Sequence, residues 1–233
     1  MVFKGYATDA CFSQQNNLLI IIIFGIFARY MAMNWLRNIA IAGIALVACG
    51  CENNEEMLMK QKDAIVKYLT SSRRMVAEEE IGNVIAENPA FYTQFGQDVF
   101  RHVTNYYAAD RDEWMRVEPT SSLDIRFAAY LFSGTEPNKQ SIYWTNIPEL
   151  ISEIEATNNN QYDDLIWAET PLTVQLGRGD LLRGLEEALI GCHDQDSVQV
   201  YMTSAAAYGK QVIGAVPKDS SVAWYIKILN VTK

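Results

Sequence analysis

The spacing of apolar residues changes along this chain, and each spacing predicts a different element. From Met57 to Leu69, Leu58, Ile65, Val66 and Leu69 recur near the helical period among lysines and acids, which predicts one amphipathic helix packed on the main domain. The next stretch carries Glu78-Glu79-Glu80 and Asn88-Pro89-Ala90. Proline opposes helix continuation, so this stretch reads as a loop-rich connector with a solvated acidic face. Beyond Gln94 the period falls to two. Leu123, Ile125, Phe127, Ala129 and Leu131 alternate with Asp124, Arg126, Ala128 and Tyr130, the pattern of a strand with one buried face. Leu172, Val174 and Leu176 repeat it, as do Val198, Val200 and Met202, and Val222, Trp224, Ile226 and Ile228; Val99 to Val103 supplies a further strand. One clear helix lies between them, with Leu181, Leu182, Leu185, Ala188 and Leu189 as its apolar stripe, Asp180 as its N-cap and Gly191 just past its end. Several antiparallel strands wrapping one amphipathic helix, with an N-terminal helical extension, make an α+β domain.

The N-terminal region follows other rules. The apolar runs Leu18 to Phe27 and Ile39 to Ala48 both fall short of the roughly 20 residues a membrane-crossing helix needs. The second has the layout of a secretory signal: Met33, a segment carrying Arg37, an apolar stretch, then small residues before Cys49. Leu46-Val47-Ala48-Cys49 resembles a bacterial lipobox, which implies lipidation at Cys49 and anchoring to a membrane of the cell envelope, on its periplasmic face or at the outer-membrane surface. The polar and acidic Glu52 to Glu56 that follow resemble the surface-export signal of Bacteroidetes lipoproteins. The expected organisation is a signal region over 1–48, an anchor, linker and helical extension over 49–95, and a folded domain over 96–233 with an insertion at 136–161. Translation is expected to start at Met31 or Met33, since Arg29 and an extra apolar run precede the signal.

Composition removes some functions. A formal charge of -9 opposes binding to nucleic acid through a broad basic patch. The four cysteines, Cys11, Cys49, Cys51 and Cys192, match no zinc or disulfide-framework spacing, and His102 and His193 are the two histidines. No metal site is expected. Cys192-His193-Asp194 reads as a turn, His102 as a satisfied strand residue, and Tyr106-Tyr107 and Tyr143-Trp144 as packing pairs in preference to glycan-stacking platforms. Within the insertion, Pro148 with Ile147, Leu150, Ile151 and Ile154 predicts a short amphipathic helix, expected to pack its apolar face on the sheet in preference to acting as a lid.

The C-terminal stretch adds a family resemblance. A glycine after a strand (Leu176-Gly177), then Arg183-Gly184-Leu185-Glu186-Glu187, Ala207-Tyr208-Gly209, Gly214-Ala215-Val216-Pro217 and a last strand stand in an order and spacing similar to the FKBP-type peptidyl-prolyl isomerases. The resemblance covers about the last 110 residues and implies a half-barrel of antiparallel strands around the helix, with an apolar pocket between them that receives a proline side chain and with no metal or organic cofactor. It implies Tyr208 and Asp163 as the polar groups on the bound amide. It implies Phe127, Tyr162, Leu172, Leu181, Leu182, Leu185, Val216 and Trp224 as the pocket lining. Leu185, Leu172 and Phe127 stand where the family has tryptophan, phenylalanine and tyrosine. The expected partners are proline-containing unfolded or extended polypeptides, with a membrane reached through the lipid anchor. The expected function is a lipid-anchored envelope isomerase of X–Pro bonds. A non-catalytic FKBP-like binding or chaperone module is the alternative.

Overall fold

Residues that alternate in the second half of the chain pair into one sheet, and both of its faces are covered. A computed structural model describes residues 54–84, 88–156 and 169–233. Residues 54–70 are helical (α1), followed by β1 (Arg74–Met75), α2 (Ile81–Val84), β2 (Phe91–Phe95), β3 (Val99–Val103), β4 (Ser122–Leu131), β5 (Ile142–Thr145), α3 (Pro148–Ala156), β6 (Leu172–Gln175), α4 (Arg183–Leu189), β7 (Ser197–Met202) and β8 (Val222–Thr232). Seven of the eight strands among the described residues run in the order β1-β2-β3-β7-β8-β4-β5, and β6, off this path, pairs with β4. All pairings are antiparallel except the two-residue contact of β1 with β2. β6 lies opposite Ser122 to Ile125 and β5 opposite Ala128 to Tyr130, so the two share one side of β4 end to end.

The concave face carries the alternating set expected from sequence. Leu123, Ile125, Phe127, Ala129, Val198, Val200, Met202, Val222, Trp224, Ile226 and Ile228 are buried in one cluster with Leu185, Ala188 and Leu189 of α4. The opposite face is not solvated, as a single buried face would require. Ile65 and Leu69 of α1 pack there on Tyr92, Phe100, Phe132, Tyr201 and Ala223. Beside them Ile154 of α3 packs on Ala128 and Ile142, with Ile147 and Leu150 against it. Helix α3 therefore covers the convex face, away from the concave surface where a lid would act.

Two sequence expectations change. The stretch read as a connector contributes β1, a 3-10 turn at Glu78–Glu80, α2 and β2, so the sheet reaches back upstream of residue 96. Asp180 does not cap α4. The N-cap is Leu182, without a side-chain cap, and Asp180 instead accepts the Gln175 backbone N–H at 3.1 Å. At the other end Gly191, with φ +83°, stops the helix in the left-handed conformation that only glycine adopts at little cost.

Gly184 explains why a small residue follows Arg183. A Cβ there would sit 2.7 Å from Met202 Sδ and 3.1 Å from both the Ala206 carbonyl and Val99 Cγ2, so α4 approaches β3 and β7 closely only as glycine. Gly184→Ala should therefore destabilise the domain by about 1–3 kcal/mol despite alanine's better helix propensity. Urea unfolding checks this, and a variant as stable as the parent would show that the helix can retreat without loss.

Candidate functional site

Every described pocket residue expected from sequence, namely Phe127, Leu172, Leu181, Leu182, Leu185, Tyr208, Val216 and Trp224, belongs to the concave-face cluster. They fall into two layers. Phe127, Leu185, Val216 and Trp224 are buried, whereas Leu172, Leu181, Leu182 and Tyr208 keep partial exposure and form the mouth. Tyr162, Asp163 and the lipidation residue Cys49 lie outside the described residues.

Strand register assembles the buried layer. Phe127 of β4 pairs with Ile226 of β8, two positions beyond Trp224 on the same face, and their rings stack at 4.8 Å and 25°. Trp144 of β5 closes on both, edge to face, at 5.7 Å from Phe127 and 6.0 Å from Trp224. Such ring pairs contribute roughly 0.5–1.5 kcal/mol beyond area burial. Trp224 thus faces the concave side, as the alternation with Val222, Ile226 and Ile228 requires.

Tyr143 and Trp144 belong to this site, although sequence reading left them as a packing pair. The signal was faint because they sit in the segment treated as an insertion, and only the pairing of β5 with β4 brings them in. Tyr143 supplies the polar wiring. The Trp224 indole N–H donates to the Tyr143 hydroxyl oxygen at 2.8 Å, and the hydroxyls of Tyr143 and Tyr208 lie 3.3 Å apart. An indole N–H can only donate. Tyr143, having accepted from it, is free to pass its own proton toward the Tyr208 oxygen, which leaves the Tyr208 O–H available to an acceptor at the mouth. Burial raises the pKa of Tyr208 and pushes that of Tyr143 well above the ordinary phenol value, so both hydroxyls stay protonated and able to donate near neutral pH.

Tyr143→Phe should cost about 1–3 kcal/mol, because it leaves the buried Trp224 N–H without its acceptor, whereas Tyr208→Phe at the half-exposed mouth should cost under 1 kcal/mol. Thermal unfolding of both variants checks the order. Equal losses would place the wiring at Tyr208 instead.

The remaining candidates carry packing roles. His102 is part-buried, and its Nδ1 lies 2.6 Å from the Phe91 carbonyl. Desolvation lowers its pKa to about 4, so it is a neutral, satisfied residue. Cys192 is fully buried, and burial raises its thiol pKa to about 11, the opposite of an activated nucleophile.

A family model described as FKBP-type peptidyl-prolyl cis-trans isomerase matches residues 153–229. Among solved structures the chain is similar to the crystal structure of the three FKBP domains of wheat FKBP73, with 13% identity, a TM-score of 0.44, and coverage of 62% of this chain and 51% of that chain. The chain thus spans about half the length of the solved structure it matches. A likeness over residues 153–229 is thus what this chain shares with the FKBP-type peptidyl-prolyl cis-trans isomerase family.

Proposed function

We propose that this chain is a lipid-anchored isomerase of the cell envelope that acts on X–Pro bonds of unfolded or extended polypeptides, with no metal or organic cofactor. The observation that carries the reading is the half-exposed Tyr208 hydroxyl, wired to Tyr143 and Trp224, standing over a buried aromatic and aliphatic floor. An X–Pro amide gives up its resonance at the twisted transition state, and the barrier to peptide-bond rotation is ~18–20 kcal/mol. A surface that binds the twisted, less polar amide better than the planar one therefore accelerates exchange without a covalent catalyst. Leu172, Leu181 and Leu182 offer the prolyl ring an apolar seat, Tyr208 donates to the adjacent carbonyl, and the family resemblance adds Asp163 as a second polar group and Tyr162 to the lining.

One observation favours a second reading, a binding or chaperone module without turnover. Leu185, fully buried, and Leu172 put aliphatic side chains where the family resemblance expects aromatic ones, and a thinner wall encloses the proline less tightly. Catalysed cis–trans exchange of proline peptides by the full chain, with and without a pocket-binding macrolide, separates the two. Macrolide-sensitive exchange supports the isomerase. Binding of proline peptides without acceleration supports the module.

The anchor is proposed on the signal-like segment that ends at Cys49, because thioether formation needs that sulfur. Cys49→Ser should lose acyl labelling and accumulate as uncleaved precursor, while Cys51→Ser should behave as the parent. The reverse pattern would move the anchor by two residues.

A further inference from the structure

A cavity of about 280 Å³ lies at the C-terminal end of α4, bounded by β2, β3, the Glu78–Glu80 turn and the turn after α4, and it shares no lining residue with the aromatic site. Its lining is unusually polar for an interior. Thr93, Arg101 and Arg111 are 1%, 6% and 6% exposed. Thr93 Oγ1 and His193 Nδ1, both lining residues, are buried atoms without a hydrogen-bond partner among the described residues. Folded proteins pair nearly all such atoms, so two orphans in one cavity mark a place built to hold something polar. Thr93 and Arg101 stand directly opposite each other on β2 and β3, which aims both side chains at the same space.

The arginines define the chemistry. Arg111 spends Nε and Nη2 on the Asp196 carboxylate. Arg101 uses Nη1 on the Ala188 and Ile190 carbonyls and on Cys192 Sγ, and among the described residues its Nη2 meets only the exposed Glu78 carboxylate, at 3.6 Å. Arg116 lies against Gly191 and makes no ion pair among the described residues. Guanidinium groups donate and never accept, a hydroxyl can donate, and a neutral imidazole presents its proton on either nitrogen. A cluster of donors around two buried cation-bearing side chains is satisfied by negatively charged oxygen. Of the acids nearby, Asp196 is buried and spent on Arg111 and the His193 backbone N–H, while Glu78 and Asp112 are exposed at the rim, where Glu78 competes for Arg101.

We propose that this cavity binds a small oxyanion, a carboxylate or a phosphate, held by Arg101, Arg116, Thr93 and His193, with Glu78 as its competitor. The volume falls just below the range of ligand pockets, ~300–1,000 Å³, which suits a small molecule or a single anionic group. The test is titration of the full chain with sodium acetate and with inorganic phosphate, each against sodium chloride at equal ionic strength, read by the thermal midpoint and by NMR shifts of Thr93 and His193. Saturable binding of acetate, phosphate or both is expected, since a ligand of the folded state raises its midpoint. The responding anion tells a carboxylate source from a phosphate one. Thr93→Val keeps the shape and removes the orphan hydroxyl, and Arg116→Gln alters an exposed residue, so neither should unfold the protein. Each should weaken binding about tenfold or more, while Glu78→Gln should strengthen it about threefold or more. A response no greater than that to chloride, or binding unchanged in Thr93→Val and Arg116→Gln, would mean that the cavity holds only water and would overturn the proposal.

Discussion

Asp196→Ala is expected to lower the unfolding free energy by about 3–5 kcal/mol, the range for stranding one partner of a buried ion pair. Asp196 is 0% exposed, and its carboxylate accepts Arg111 Nε at 2.9 Å and Nη2 at 2.7 Å. The same carboxylate accepts the His193 backbone N–H at 2.8 Å. Removing it leaves a cation whose side chain is 7% exposed without a counterion, and it frees the turn that leads into β7. The Arg111 guanidinium also lies 4.3 Å from the centre of the Tyr106 ring, which holds it where the carboxylate would be missing. Denaturant unfolding should show a lower midpoint with an unchanged slope. Asp112→Ala, one residue from Arg111 but exposed, should change stability by under about 0.5 kcal/mol. Replacing both Arg111 and Asp196 with apolar residues of similar volume should restore most of the loss. A loss below 1 kcal/mol for Asp196→Ala would mean that water reaches the pair.

The second large effect is on function. On the proposed isomerase reading, Leu182→Asp should abolish isomerisation, by about a hundredfold or more, while leaving the fold intact. Leu182 is half-buried at the mouth and is also the N-cap of α4, with extended backbone and no capping side chain. Aspartate is among the best N-cap residues, and a negative charge at a helix N-terminus is favourable, so stability should hold or rise by about 0.5–1 kcal/mol. Seating a prolyl ring against that carboxylate, however, strips water from a charge that the helix N–H groups compensate only in part, and each 1.36 kcal/mol of that cost is a tenfold loss in rate. Val216→Asp would be a poor test, because Val216 is fully buried and the variant would fail to fold. Progress curves for proline-peptide exchange, beside circular dichroism of the same sample, decide the matter. Parental turnover in a folded Leu182→Asp protein would remove Leu182 from the site.

The buried lining of the site was legible in the sequence because burial repeats with the pleat. Phe127 and Trp224 each fall on the apolar phase of an alternating run, and that phase alone puts them on the face that α4 covers. The half-exposed Leu181 and Leu182 were legible through the helical stripe and the resemblance together. Tyr143 and Trp144 were not, since a four-residue strand, β5, is too short to establish a period of its own. Asp180 was misread for a related reason: an acid just before a helix is a cap only if its backbone places it there, and the turn instead aims its carboxylate at Gln175.

The sequence by itself determined β4, β6, β7 and β8, the helix they enclose, the stop at Gly191 and the apolar face of α1, because each follows from spacing or local backbone preference within one segment. Tertiary structure alone decided the rest. Trp224 meets Tyr143 across 81 positions, Tyr143 meets Tyr208 across 65, and Arg111 meets Asp196 across 85. No local pattern encodes such pairings. They depend on strand register and on the docking of α1 and α3 on the convex face, and register is set by matching the buried faces of strands far apart in the chain.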